Sequence, residues 1–204
     1  MKRSIVVHDI PMTHVAAMER WYWRDHAPEI VRRYGPWMAR HESYLPVDAP
    51  ADARALGFFN WRVTDGWWRE MPEAGPKGAM AFTVPPFWPT VATCFIDAQP
   101  DHDFKGAEIQ PHERNVLRWV QLWRYPEGVS REEGDDWFVN THAPQVSTQP
   151  GLYRFFSHSA VNPGGGLPGV WPPDAVAPMR ATLQVGYHRY VEQWYENFAD
   201  WHTA

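Results

Sequence analysis

A single cysteine, Cys94, in 204 residues leaves no partner for an intrachain disulfide, which fits a reducing compartment. Clustered positive charge is also missing. Lys and Arg number 19 against 24 Asp and Glu, for a net charge of −5, and no run of five basic residues occurs. A phosphate backbone needs such clusters, so nucleic acid is excluded as a partner. No apolar run approaches the ~20 residues that span a bilayer. The stretch after Lys2 and Arg3 is too short for a signal peptide. These absences predict a cytoplasmic protein with no membrane partner. Phosphate-cradling glycine motifs are absent as well: there is neither Gly-x-Gly-x-x-Gly nor Gly-x4-Gly-Lys-Ser/Thr. No Gly-x-Ser-x-Gly elbow marks a serine nucleophile. Ten histidines are present, yet none forms a His-x3-His pair near a carboxylate. The sequence therefore predicts no cofactor and no metal.

What the chain has in excess is aromatic rings: 13 Trp, 8 Tyr and 10 Phe. Each buries roughly 150–250 Å². That is more than two small cores need, so some rings are expected to line a cavity for a flat or apolar ligand, or to lie in a homodimer interface.

One segment occurs twice. Trp21-Tyr22-Trp23-Arg24-Asp25-His26-Ala27-Pro28 recurs as Trp137-Phe138-Val139-Asn140-Thr141-His142-Ala143-Pro144, at a constant offset of 116 residues (26 to 142). A glycine follows each His after nine residues, Gly35 and Gly151, and an aromatic two residues later, Trp37 and Tyr153. A fixed internal offset predicts two copies of one structural unit. Alternating and helical patterns predict strands over 4–10, 37–45, 58–63 and 90–96, with a helix from about 13 to 34 that kinks near His26, because Pro28 removes a hydrogen bond. Asp65 reads as the cap of a short helix through Met71. In the second copy, strands are expected over 116–125, 152–160 and 181–187. Ser130 and Glu133 form a capping box, and Tyr190, Trp194, Phe198 and Trp201 mark a final helix. The polar segment 101–114 reads as a linker between residues 1–100 and 115–204. Gly164-Gly165-Gly166 reads as a surface loop. The fold class is α+β: two ferredoxin-like (βαββαβ) repeats, the second ending before its fourth strand. Packed bare face to bare face, they would form a dimeric α/β-barrel-type fold within one chain.

The repeated helix, with its aromatic pair before His-Ala-Pro and the glycine and strand after it, resembles the EthD family of the dimeric α/β-barrel superfamily. The resemblance implies single units that dimerise or tandem units within a chain. It also implies cofactor-free lyase, dehydratase, decarboxylase, isomerase or oxygenase chemistry on aromatic or polyketide-like molecules, with haem bound by some members.

Strand parity picks out further candidates. Trp37, Ala39, His41, Ser43 and Leu45 share one face of the second strand, and Met38, Arg40, Glu42 and Tyr44 the other; the corresponding second-copy faces hold Phe155 and Ser157, and Arg154, Phe156 and His158. The set with small members suits packed helices. Arg40, Tyr44 and His158 are then expected to face the space between sheets, as functional groups or as a rim ion pair of Arg40 with Glu42. His26 and His142, at the kinks, are candidate general acids or bases, or else caps of the broken helices, and His8 is a further candidate. Cys94, in an apolar strand, reads as inert. The expected function is a cofactor-independent lyase, decarboxylase or dehydratase in type, acting on a small aromatic or hydrophobic substrate. In it His26 or His142 moves the proton, Arg40 holds a carboxylate or enolate, and Tyr44 or His158 meets developing negative charge. The alternatives are a cofactor-free monooxygenase or isomerase in the same pocket, or a non-catalytic small-molecule or haem-binding protein.

Overall fold

The computed structural model of the chain describes residues 1–48, 50–51, 61–70, 83, 85–87, 90–106, 116–161 and 186–204. Gly164-Gly165-Gly166 and most of the strand expected over 181–187 lie outside them. The described residues fall into two compact units, Met1–Ala98 and Gln99–Val161 with Gly186–Ala204. Each is mixed α+β and holds one four-stranded antiparallel sheet.

In the first unit, β1 (Lys2–Asp9) leads to α1 (Met12–Trp21), a π-helical turn (Tyr22–His26) and α2 (Ala27–Tyr34). Strands β2 (Met38–Tyr44), β3 (Arg62–Trp68) and β4 (Thr90–Asp97) complete it in the order β2-β3-β1-β4. The expected kink is the π turn. Pro28 has no N–H to offer, and the helix widens so that the Ala27 N–H reaches the Tyr22 carbonyl. Thr13 makes no cap: the helix opens at Pro11 without a side-chain bond.

Where a helix was expected from Asp65, the chain is strand. Arg62-Val-Thr-Asp-Gly-Trp-Trp carries β-branched and aromatic residues on both faces, and Asp65 bonds Arg3 across the sheet instead of a helix terminus. The helices cover the face that holds Arg62 and Trp68. There Trp68 packs edge-on to Tyr34 at 5.7 Å, and Ile10, Met18, Trp21, Tyr22 and Trp61 form a core.

The second unit comprises β5 (His102–Lys105), β6 (Leu117–Trp123), α3 (Arg131–Trp137), a π-helical turn (Phe138–His142), α4 (Ala143–Ser147), β7 (Leu152–Ser159), β8 (Arg189–Tyr195) and α5 (Phe198–Thr203). Its sheet order is β5-β7-β8-β6. The Ser130 capping box is present, with both reciprocal bonds made. Residues 190–195 are strand rather than helix: Tyr190, Glu192 and Trp194 alternate with Val191, Gln193 and Tyr195, a period of two that also satisfies the i, i+4 spacing of 190 and 194. Within the 101–114 segment, His102–Lys105 forms a strand on the outer edge of β7. Phe138, Val146, Leu152, Phe155, Val191 and Tyr195 fill the core beneath the helices.

Both π turns end on a histidine with the same backbone angles, φ −70° and ψ −52°. The glycines that follow differ. Gly35 is right-handed helical, whereas Gly151 sits at φ +73°, which only glycine adopts easily. No helix among the described residues is long and apolar enough to cross a membrane.

Candidate functional site

The register of β1 on β3 sets His8 opposite Arg62, on the helix-covered face. The π turn lays the Tyr22 ring over that arginine, 3.9 Å from its guanidinium carbon. Arg62 is fully buried. It donates to Glu19 of α1 and, at 2.7 Å, to the Ser43 hydroxyl of β2. The Trp61 indole also donates to Glu19, at 2.9 Å. Charge buried in this way is tolerable because it is paired and hydrogen-bonded.

His26 closes the group from the helix side. Its ring stacks on Trp21 at 4.6 Å and tilts against Tyr22 at 5.4 Å. Burial, reinforced by the neighbouring His41 and Arg62 and opposed by Glu29, lowers its pKa to about 4. Burial, with the charges of His26 and Arg62 behind it, brings His8 down to about 3. His41 is lowered too, mainly by burial. Near neutral pH the face thus presents uncharged imidazoles beside a fixed guanidinium: a base able to take a proton, next to a cation able to steady an anion. A clasp holds Trp21 in place: its indole donates to the Thr83 carbonyl at 2.9 Å, and Thr83 donates from N and Oγ1 to Glu29.

The second unit repeats this frame with altered chemistry. His142 stacks on Trp137 at 5.1 Å and 25°, beside the 26° of the first stack. Arg189 lies 4.8 Å from the Phe138 ring and bonds Ser157, and its Nε is 3.3 Å from Asp135. Asp135 takes the place of Glu19, Phe138 that of Tyr22, and Ser157 stands 116 residues beyond His41. His142 is lowered by burial alone.

The five residues expected to act together do not share one face. Arg40 and Tyr44 lie on the face of the first sheet away from the helices, so they cannot meet His26. There Arg40 stacks on Trp67 at 4.3 Å and pairs with Glu42 at 3.3 Å, and Tyr44 donates to Glu42 at 2.7 Å. This is the ion-pair alternative. Arg3, buried against Asp65, also lies against the Trp67 ring, at 4.5 Å. His158 lies on the corresponding face of the second sheet, away from His142, buried between Phe156 and Tyr190. That face again has an arginine–carboxylate pair, Arg118 with Glu192, beside a tryptophan, Trp194, approached by two guanidinium groups. Met38 leaves its expected face because a bulge at Ala39 shifts the register, and Met38 packs with Tyr34.

Sequence reasoning missed Glu19, Tyr22 and Arg62 as site residues. Glu19 and Asp135 obey the 116-residue offset and were findable. Arg62 and Arg189 do not, because the segments that precede β3 and β8 differ in length. Among the described residues no cluster of three His, Cys, Asp or Glu could hold a metal ion.

Residues 1–87 match the family model described as chalcone isomerase N-terminal domain. No curated protein matches the chain. The family match overturns the EthD-like reading, and with it the lyase type and the aromatic-compound metabolism drawn from that resemblance. The matched description names an enzyme, in line with the enzymatic reading in its coarser form, and it points to isomerisation. The matched residues contain His8, Glu19, Tyr22, His26, His41, Ser43 and Arg62, and none of the second frame.

Proposed function

We propose that the chain is an isomerase that rearranges a chalcone-type enone carrying an acidic hydroxyl, with His26 as the general base. In such a reaction the hydroxyl loses its proton and its oxygen adds to the β-carbon. The electron pair passes to the carbonyl oxygen as an enolate, and the proton then returns to the α-carbon. Nothing enters or leaves, so proton transfer within one site suffices. The observation that carries the reading is the His26 imidazole, kept neutral by burial and stacked on Trp21 beside Tyr22 and Arg62, inside the residues that match the isomerase domain. Two features support ferredoxin-like repeats over 1–100 and 115–204: the β2-β3-β1-β4 order in the first unit, and the recurrence of the π turn and its histidine at constant offset in the second.

The test is turnover of 2′-hydroxychalcones, followed by loss of the enone absorbance. His26→Gln should lower kcat by roughly 10²–10⁴-fold, and His142→Gln should leave it within about twofold of wild type, the noise of such assays at ~0.4 kcal/mol. The wild-type rate should persist through pH 6 and fall only as pH drops toward about 4, where the base becomes charged. Full activity in His26→Gln, or no acceleration by wild type, refutes the assignment. A non-catalytic binder is the second reading, favoured by the engagement of Arg62 with Glu19 and Ser43. It predicts saturable binding of the same compounds without turnover.

A further inference from the structure

The two frames differ in what their buried donors do. Tyr22 is 1% exposed and Arg62 is 0% exposed. Yet the Tyr22 hydroxyl and the Arg62 Nε have no hydrogen-bond partner among the described residues. Ser43 lies near enough to Tyr22 to bias its ionisation, but without the geometry of a hydrogen bond; its oxygen accepts one from Arg62 Nη1 instead. A buried donor left unmatched is unfavourable, and two on side chains stacked against each other ask for a use. The second frame keeps only part of this: Phe138 brings the ring without the hydroxyl, and the Arg189 Nε, 3.3 Å from the Asp135 carboxylate, likewise makes no hydrogen bond among the described residues. The duplicated site thus serves as its own control: the packing of ring, guanidinium and carboxylate and the unmatched arginine Nε are common to both units, and the spare hydroxyl belongs only to the first.

We propose that the Tyr22 hydroxyl and the Arg62 Nε are a donor pair for an oxyanion, the enolate oxygen of the substrate, so that Tyr22 and Arg62 are catalytic residues beside His26. The inference rests on the isomerase reading above. Tyr22 is suited to the task because burial keeps its hydroxyl protonated at neutral pH, hence a donor. Arg62 adds a permanent charge that no proton transfer can remove. Donors fixed in advance, shielded from water and aimed where charge develops, favour the transition state over the ground state. The same reasoning makes the second unit a framework without this donor pair.

Tyr22→Phe is the decisive variant, since Phe138 shows that phenylalanine packs against the arginine in this frame. With 2′-hydroxychalcone as substrate, Tyr22→Phe should lower kcat roughly 10²–10³-fold, the range for losing one oxyanion donor, while KM changes far less. Arg62→Lys keeps the charge but deletes Nε, and should show the same kcat-dominated loss. Phe138→Tyr should leave both parameters unchanged. The far-ultraviolet dichroism and melting of Tyr22→Phe should match wild type. An active wild type with an unimpaired Tyr22→Phe overturns this inference alone and leaves the isomerase reading standing. A loss confined to KM overturns it as well, because it would mean ground-state binding. A wild type without isomerase activity overturns both.

Discussion

His8 should make the protein sensitive to acid. Its imidazole sits on β1 opposite Arg62, edge-on to Trp61 at 5.1 Å. Burial first, then the neighbouring His26 and Arg62, hold its pKa at about 3 in the folded chain. Unfolded, a histidine titrates near 6.5. Between those values the unfolded chain binds a proton that the folded chain refuses, so stability rises with pH across the window and is lost as pH falls from about 6.5 toward 3. At about pH 4.5 the gap below the unfolded value is about two units, or ~2.7 kcal/mol at ~1.36 kcal/mol per unit. The His8 side chain retains partial exposure, which trims this to about 1–2 kcal/mol. The measurement is urea unfolding of wild type and His8→Leu at about pH 7 and about pH 4.5. Leucine removes the titration and keeps most of the volume. Whatever the substitution does to packing is common to both pH values and cancels in the difference. Wild type should lose about 1–2 kcal/mol more on acidification than the variant. Equal losses in the two proteins would refute the reasoning.

Gly134→Ala ordinarily stabilises a helix interior by about 0.5–1 kcal/mol, but here a Cβ would stand 2.2–2.4 Å from the Tyr125 ring, which the bond from its hydroxyl to Asp135 at 2.6 Å holds in place. We expect a loss of about 1–3 kcal/mol in urea unfolding, and a gain would show that the ring moves aside. Asp65→Ala strips the carboxylate from Arg3 at a site where both side chains are buried, which should cost about 3–5 kcal/mol. The double variant Arg3→Met, Asp65→Leu should recover most of that in the same assay, and failure to recover would mean that the loss is not electrostatic.

Much of the candidate site was legible because repetition is a signal that survives without structure. The His-Ala-Pro motif located both π turns, since proline must interrupt a helix wherever it falls and the offset carries the interruption from Pro28 to Pro144. Strand parity correctly separated His41 and Ser43 from Arg40, Glu42 and Tyr44, because neighbouring residues on a strand point to opposite faces. It failed at Met38, where a bulge inserts one residue and flips the side chain. An equivalent register shift lies between Leu152 and Arg154, so the irregularity belongs to the unit and not to one sequence. The helix readings of 65–68 and 190–195 failed for a different reason, while Phe198–Thr203 is helical as expected. Aromatic residues four apart satisfy a helix and a strand alike, and only cross-strand partners such as Arg3 for Asp65 decide between them.

The deeper miss was to assemble His26, Arg40 and Tyr44 into one centre. Each is polar in an apolar setting, and from a sequence that common property looks like common purpose. A sheet makes it two purposes. On the face away from the helices, Arg40 with Glu42 and Arg3 with Asp65 are charges matched to opposite charges around one tryptophan, and the pattern recurs around Trp194. On the helix face the matching is incomplete in both units at the arginine Nε, and only the first adds a tyrosine hydroxyl without a hydrogen bond among the described residues. Buried polarity that is fully paired stabilises or specifies a fold, and only polarity left unpaired at a neutral base has bonding capacity to offer a substrate. That criterion selects Tyr22 and Arg62 over Arg40 and Tyr44, whose polar groups meet Glu42.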